Sequence, residues 1–151
     1  MQSTSVAWSI QTASWRDYTQ LNQLDRLCFR PEDIWPFWDV IGILTLPGFV
    51  RLKAVVNGNM VGFIGGERDA TKRQRWVTTL SVLPAYRRLG IGLALLAACE
   101  SQLGMPVIRL SVREANTAAI HLYESAGYAL VDRRRNYYAG GETALIFEKR
   151  R

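Results

Sequence analysis

The chain has 151 residues and a net charge of +6 at pH 7, with 48% hydrophobic and 21% charged residues. That length suits one domain, residues 1–151, with a real core, and the balance excludes a disordered chain. No apolar run reaches the roughly 18 residues that a membrane span needs, and MQSTSVAWSIQTASW at the start has no basic region leading into an apolar stretch, so no secretory signal is expected.

SVAWSIQTA alternates apolar and polar residues and predicts a first strand. SWRDYTQLNQLDRLCF predicts a helix with Ser14 as its N-cap, an apolar face of Leu21, Leu24, Leu27 and Cys28, and an end at Pro31. EDIWPFWDVIGILTLPG predicts a shorter second helix, closed near Pro47 and Gly48; its aromatic block of Trp35, Pro36, Phe37 and Trp38 is expected to pack in the core, with one or two members lining a pocket. FVRLKAVVNGNMVGFIGGERD reads as a hairpin about Asn57-Gly58. RWVTTLSVLP is a further strand, and Gly90 to Leu103 a helix. PVIRLSVR is a strand, NTAAIHLYESAG a helix ending at Gly127, and YALVDRRRNYYAGGETALIFEKR a closing hairpin. The order β-α-α-β-β-β-α-β-α-β-β predicts an α/β fold: one mixed, mostly antiparallel sheet with helices on both faces.

Two cysteines, Cys28 and Cys99, are too few for a disulfide scaffold and have no partners at metal-ligand spacing. Cys99 sits in an apolar helical run and reads as a buried small hydrophobe. His121 is the only histidine, so a zinc site or a Ser-His-Asp triad would lean wholly on it. No metal is expected, and a reducing cytoplasm is the default compartment. The positive charge fits a solvated basic surface, a nucleotide cofactor or nucleic acid. Basic clusters occur at KRQR (72–75), Arg87-Arg88, 133–135 and the C-terminal EKRR. Only Arg87-Arg88 lies beside glycines, and no nucleic-acid recognition motif is present.

In VLPAYRRLGIGLALLAACE a strand runs through arginines and two glycines into a helix. Each glycine weakens a helix by roughly 0.5–1 kcal/mol against alanine. The pattern makes sense where free N–H groups at a helix start, aided by the helix dipole, meet a phosphate. There is no Gly-Lys-Ser/Thr ending and no third glycine, which excludes the nucleotide-hydrolysing P-loop and the dinucleotide fingerprint.

RRLGIG, together with RLSVREANTAAIHLYESAGY (109–128), resembles the GNAT superfamily of acetyl-coenzyme A-dependent N-acetyltransferases. Arg87, Gly90 and Gly92 match its Arg/Gln-x-x-Gly-x-Gly/Ala motif. Asn116, Ala119, Tyr123, Gly127 and Tyr128 match its later Asn-x-x-Ala-x-x-x-Tyr-x-x-x-Gly-Phe/Tyr pattern. Within the superfamily the chain is most similar to the protein N-terminal acetyltransferases, including those acting on ribosomal-protein alanine. The tail resembles their Tyr-Tyr-x-x-Gly-Glu-Asp-Ala signature, with Thr143 where aspartate is usual, which leaves the peptide choice open.

The resemblance implies acetyl-coenzyme A as cosubstrate and an amine acceptor, either a peptide N-terminus or a small molecule. It implies no membrane or nucleic-acid partner, and it allows a homodimer. Its pyrophosphate site falls on Arg87, Arg88, Leu89, Gly90, Ile91 and Gly92, its pantetheine strand on Leu80, Ser81 and Val82, and its further cofactor contacts on Asn116, Ala119 and Tyr123. Asn116 can also cap its helix. Tyr123 is the implied proton donor to the leaving thiolate, since a phenol with pKa near ~10 stays protonated at neutral pH. Tyr137 and Tyr138 would sit over the acceptor groove, or pack across the hairpin.

Ser111 stands where related enzymes carry a basic or acidic catalytic group. Glu32, by resemblance to a substrate-lip loop, and Glu67, at a strand end, are the substitutes, though each is also expected in a solvated ion pair. At pH 7 roughly a tenth to a fifth of an α-amine is neutral, against about one lysine in two thousand. A chain without a strong base therefore suits an α-amine, and no residue is expected to be an indispensable base. A non-catalytic acetyl-coenzyme A-binding module is the other class the sequence leaves open.

Overall fold

The computed structural model describes residues 6–69, 74–104, 106–138 and 140–150. Ser5 of the predicted first strand, Lys72 and Arg73 of the KRQR cluster, Ala139 and Arg151 lie outside the described residues. The elements follow the predicted order: β1 (Ser9–Thr12), α1 (Tyr18–Cys28), α2 (Phe37–Thr45), β2 (Phe49–Val56), β3 (Asn59–Asp69), β4 (Gln74–Val82), α3 (Ile91–Leu103), β5 (Val107–Arg113), α4 (Thr117–Ser125), β6 (Ala129–Arg134) and β7 (Ala144–Arg150). The seven strands form one sheet in the order β1-β2-β3-β4-β5-β7-β6. Every neighbouring pair is antiparallel except β4 and β5.

β2 alternates so that Val50, Leu52, Ala54 and Val56 face one side, where Leu95, Leu96, Cys99 and Leu103 of α3 cover them. β3 is buried from Val61 to Gly66 because both its faces are covered: Val61 and Ile64 join the α3 side, while Met60 and Phe63 meet Leu21 and Leu24 of α1 and Val40, Ile43 and Leu44 of α2. Gly66 lets β3 approach α3, since a Cβ there would lie 2.8 Å from the Cys99 sulfur. Cys99 is fully buried, as expected, and burial with the Glu100 charge pushes its thiol up to about 12.

Four local expectations change. Ser14 caps a single 3-10 turn, in a capping box with Asp17, and α1 proper begins at Tyr18. α1 ends at Cys28, before Pro31, because Arg30 must be extended ahead of a proline (φ −66, ψ 151). Leu27 is 66% exposed, since six residues turn it about 240° around the helix from Leu21. The aromatic block does not pack in the core. Trp35 and Pro36 precede α2, and Trp38 is 78% exposed because Val40, Ile43 and Leu44 form the buried face. Phe37 instead makes an edge contact with Tyr18, ring centres 4.9 Å apart.

Candidate active site

Among the described residues, Trp76 with Arg109 is the one ladder pair joining β4 to β5. Beyond that pair the two parallel strands diverge towards their C-terminal ends. A cavity of about 1230 Å³ opens between them on the α1–α2 side. A β-bulge marks the divergence: Gly65 faces Thr79 and Gly66 faces Val77, so Thr78 is the extra residue in β4. Ion pairs from Glu148 to Arg109 (2.8 Å) and Arg150 (2.5 Å) strengthen the closed end.

β4 offers the slot its free backbone. The Leu83 N–H donates to the Val61 carbonyl at 2.8 Å. Alternation along an antiparallel ladder then turns the Ser81 backbone towards β3 and that of Leu80 and Val82 away from it. The Val82 carbonyl already accepts from the Arg87 guanidinium (Nε, 3.0 Å) and the Cys28 thiol (3.5 Å). The stretch expected to hold a pantetheine arm thus narrows to Leu80 and the Val82 N–H. Ser81 is 4% exposed and belongs to the ladder.

Residues 87–92 do not line the cavity but adjoin it, with Arg87 Nη2 4.0 Å from the Cys28 sulfur. Arg88 (φ +63) and Gly90 (φ +86) are both left-handed. Among the described residues, no N–H from 88 to 93 donates to a protein acceptor. These N–H groups form a concave donor set at the start of a 13-residue helix. A Cβ at Gly90 would meet nothing within 4 Å, so the backbone angle, not protein crowding, requires glycine there. The donor set and the arginines fit a pyrophosphate. Arg87, Arg88, Leu89 and Gly90 are exposed, whereas the Ile91 side chain is buried and anchors the helix start.

Asn116, Ala119 and Tyr123 line the cavity from α4. Asn116 caps that helix, its Oδ1 accepting from the Ala119 N–H at 3.1 Å. Tyr123 is 8% exposed, and burial, with Tyr138 nearby, pushes its phenol up to about 12. It therefore stays protonated across the physiological range and has a proton to donate. Its ring meets Tyr128 edge-on at 6.0 Å. The Tyr128 hydroxyl in turn donates to buried Glu100 at 3.3 Å, where Lys149 also pairs at 2.9 Å. His121 is exposed on α4 and does not line the cavity.

The roof comes from the loop after α1 and the β6–β7 hairpin. Arg113, at the end of β5, pairs with Asp33 of that loop and with Glu142 of the hairpin, the latter at 2.6 Å. Arg30 reaches the other Glu142 oxygen at 2.5 Å. The Arg113 guanidinium lies 4.3 Å over the Tyr138 ring. Tyr137 and Tyr138 meet edge-on at 5.0 Å and both line the cavity, so they pack together and face the groove at once. Burial raises the Tyr138 phenol most, an effect that the nearby Ser111 hydroxyl opposes.

Glu32 is exposed at the lip and Glu67 half-buried on β3; both line the cavity, and neither forms an ion pair among the described residues. The expected pairs are made by Asp33 and Glu142 instead. A carboxylate that the sequence reading passed over, Asp25 of α1, also lines the cavity. Burial alone pushes it up to about 6, and no charged partner compensates it among the described residues. The signal was its place one turn before Cys28, on the same edge of α1.

The profile of the Acetyltransferase (GNAT) family matches residues 9–128. The chain is 31% identical over 153 residues to an N-alpha-acetyltransferase of Sulfurisphaera tokodaii, covering 92% of this chain and 90% of that one. It is 29% identical over 147 residues to the N-terminal acetyltransferase A complex catalytic subunit NAA10 of Arabidopsis thaliana, covering 93% and 76%. The crystal structure of the ribosomal-protein-S18-alanine N-acetyltransferase from Escherichia coli superposes with a TM-score of 0.83 at 26% identity, over 95% of this chain and 94% of that one. A split sheet beside a glycine-opened helix start with free N–H groups, and a family match over residues 9–128, lead to one conclusion: the chain belongs to the GNAT family of acetyltransferases.

Proposed function

We propose that the protein transfers the acetyl group of acetyl-coenzyme A to the α-amine of a peptide or protein N-terminus, by direct attack in a ternary complex. The observation that carries this reading is the roofed cavity between diverging strands, with the buried Tyr123 phenol at one wall and a helix start with free N–H groups beside it. The N–H groups of residues 88–93, with Arg87 and Arg88, hold the pyrophosphate. Leu80 and the Val82 N–H hold the pantetheine arm, with Asn116 and Ala119 opposite. Bound there, the cosubstrate supplies an acetyl thioester.

The chain's own groups do the rest. Tyr123 donates its proton to the departing sulfur. Glu32 at the lip and Glu67 in the cavity wall favour the acceptor's ammonium, and Tyr137 and Tyr138 cover the peptide backbone. The relatives are named as N-terminal acetyltransferases, and an α-amine, with a pKa of about 7.7–8.0, gives up its proton near neutral pH far more readily than a lysine does.

Cys28 and Cys99 are free thiols, which suits a reducing cytoplasm. No helix among the described residues is long and apolar enough to cross a membrane.

The test is thiol release from acetyl-coenzyme A across a panel of N-terminal peptides, lysine-bearing peptides with blocked N-termini, and small amines. Turnover should concentrate on free α-amines. Preference for a small amine would move the acceptor assignment, and tight cofactor binding without any turnover would leave a binding module.

A further inference from the structure

One carboxylate of the cavity, Asp25, takes no part in the contacts described for the transfer. Asp25 lies on the side of α1 that turns from the sheet core towards the opening between β4 and β5. Leu21 and Leu24 of the same helix fix that orientation by packing on Met60 and Phe63. The C-terminal end of α1 is tied to β4 by the Cys28 thiol, which donates to the Val82 carbonyl at 3.5 Å, one turn beyond Asp25. Asp25 thus lines the cavity from a helix held by its apolar face and at its C-terminal end. It has no ion pair or side-chain hydrogen bond among the described residues. An uncompensated, half-buried carboxylate is costly to keep, which makes such groups candidates for function.

We infer that Asp25 is the proton acceptor for the incoming amine, an inference that rests on the acetyl-transfer reading. The acceptor arrives as an ammonium and must lose two protons to become an amide. Asp25 takes the first, freeing the lone pair. Nitrogen then bonds the thioester carbonyl carbon, and the C–S bond breaks with its electron pair going to sulfur. Tyr123 supplies the proton that makes the thiol, and the second proton from nitrogen restores the phenol. Asp25 returns its proton to water, so the net reaction releases one.

Burial holds Asp25 near 6, where it is mostly ionised at neutral pH yet basic enough to accept a proton. Of the titratable groups near it, Cys28 on its own helix senses its charge, and Arg87 faces that thiol. Across the cavity are Glu32 and Asp33 on the loop, Glu67 on β3, Arg109 and Arg113 on β5 and Arg134 on β6. Asp33, Arg109, Arg113 and Arg134 are all held in ion pairs of their own.

The experiment is the pH dependence of kcat for Asp25→Asn against wild type, with an α-amine peptide at saturation. Wild type should rise through pH 6 and level off well below the acceptor's own pKa. The variant should lose about 10²–10⁴-fold at pH 6.5 and follow the acceptor's titration instead. Asp25→Glu should recover part of the rate with the acid limb restored. Coenzyme A affinity, measured by calorimetry, should be unchanged in both. A carbon-13 carboxyl titration of wild type should show an aspartate resonance moving near pH 6 that disappears in Asp25→Asn. An acid limb unmoved by Asp25→Asn, or abolished by Glu67→Gln instead, would overturn the inference and leave acetyl transfer standing. A wild-type protein that releases thiol with no amine would sink both.

Discussion

Glu142 and Arg113 join the hairpin to the sheet: a Glu142 oxygen lies 2.6 Å from the Arg113 guanidinium, and Arg113 also holds Asp33 of the facing loop. This pairing closes the roof of the cavity without touching the cofactor slot. Arg113, and then Arg30, hold the Glu142 carboxyl below its ordinary range. The clasp is therefore present above that range and is lost only as pH falls through the lowered value. Glu142→Gln should raise the acceptor KM several-fold, with a steeper dependence on salt, and leave coenzyme A affinity alone. Steady-state kinetics at two ionic strengths check this. An unchanged KM would make the clasp purely structural.

The left-handed Gly90 makes a second prediction. Gly90→Val should cost roughly 1–2 kcal/mol of stability through its backbone angle and weaken coenzyme A binding much more than peptide binding. The protein itself leaves that Cβ free, so lost affinity would report a ligand approaching the backbone. Calorimetric affinity equal to wild type in a folded variant would remove residues 87–92 from the site.

Tyr123→Phe keeps the edge contact with Tyr128 and removes only the hydroxyl. Turnover should fall by about 10²–10⁴-fold while coenzyme A affinity barely moves. Because the phenol is pushed up to about 12, no alkaline loss of activity from Tyr123 should occur below pH 10. Wild-type turnover in this variant would take Tyr123 out of the chemistry.

Asp25 makes a prediction about stability as well as rate. Its carboxyl rises from 3.8 to about 6 on folding. Folding therefore favours the protonated form, and that contribution is full below pH 3.8 and lost as pH rises through about 6. Asp25→Asn has no such charge to bury. Above pH 6 the variant should be more stable than wild type, by at most ~3 kcal/mol and less where water screens the group. Denaturant midpoints at pH 4 and pH 8 read the difference. A gap that does not widen with pH would mean that Asp25 is not desolvated.

Much of this was legible in the chain. The element order followed from periodicity and turn residues, because each strand or helix buries its own regular face. Asn116 and Tyr123, singled out by their motif, reach the cavity wall, and the glycine loop opens a helix, as a helix start creates free N–H groups wherever it occurs. What stayed hidden depended on register and docking. Asp25 sits beside Arg26 in a polar stretch and reads as solvated until α1 is laid across β3 and β4. Arg113 meets Asp33 and Glu142 across gaps of 80 and 29 positions in the chain, a pairing that only the β5–β7 register brings about. Trp38 looked like core by composition, yet three aliphatic residues of α2 had already filled that face.

The central claim, an α-amine acceptor, is tested most directly by one measurement. A peptide carrying both a free N-terminus and an internal lysine is incubated with the protein and acetyl-coenzyme A, and tandem mass spectrometry locates the acetyl group. Acetylation confined to the N-terminal nitrogen is the expected result. An acetyl group on the lysine side chain, with the N-terminus left free, would contradict it.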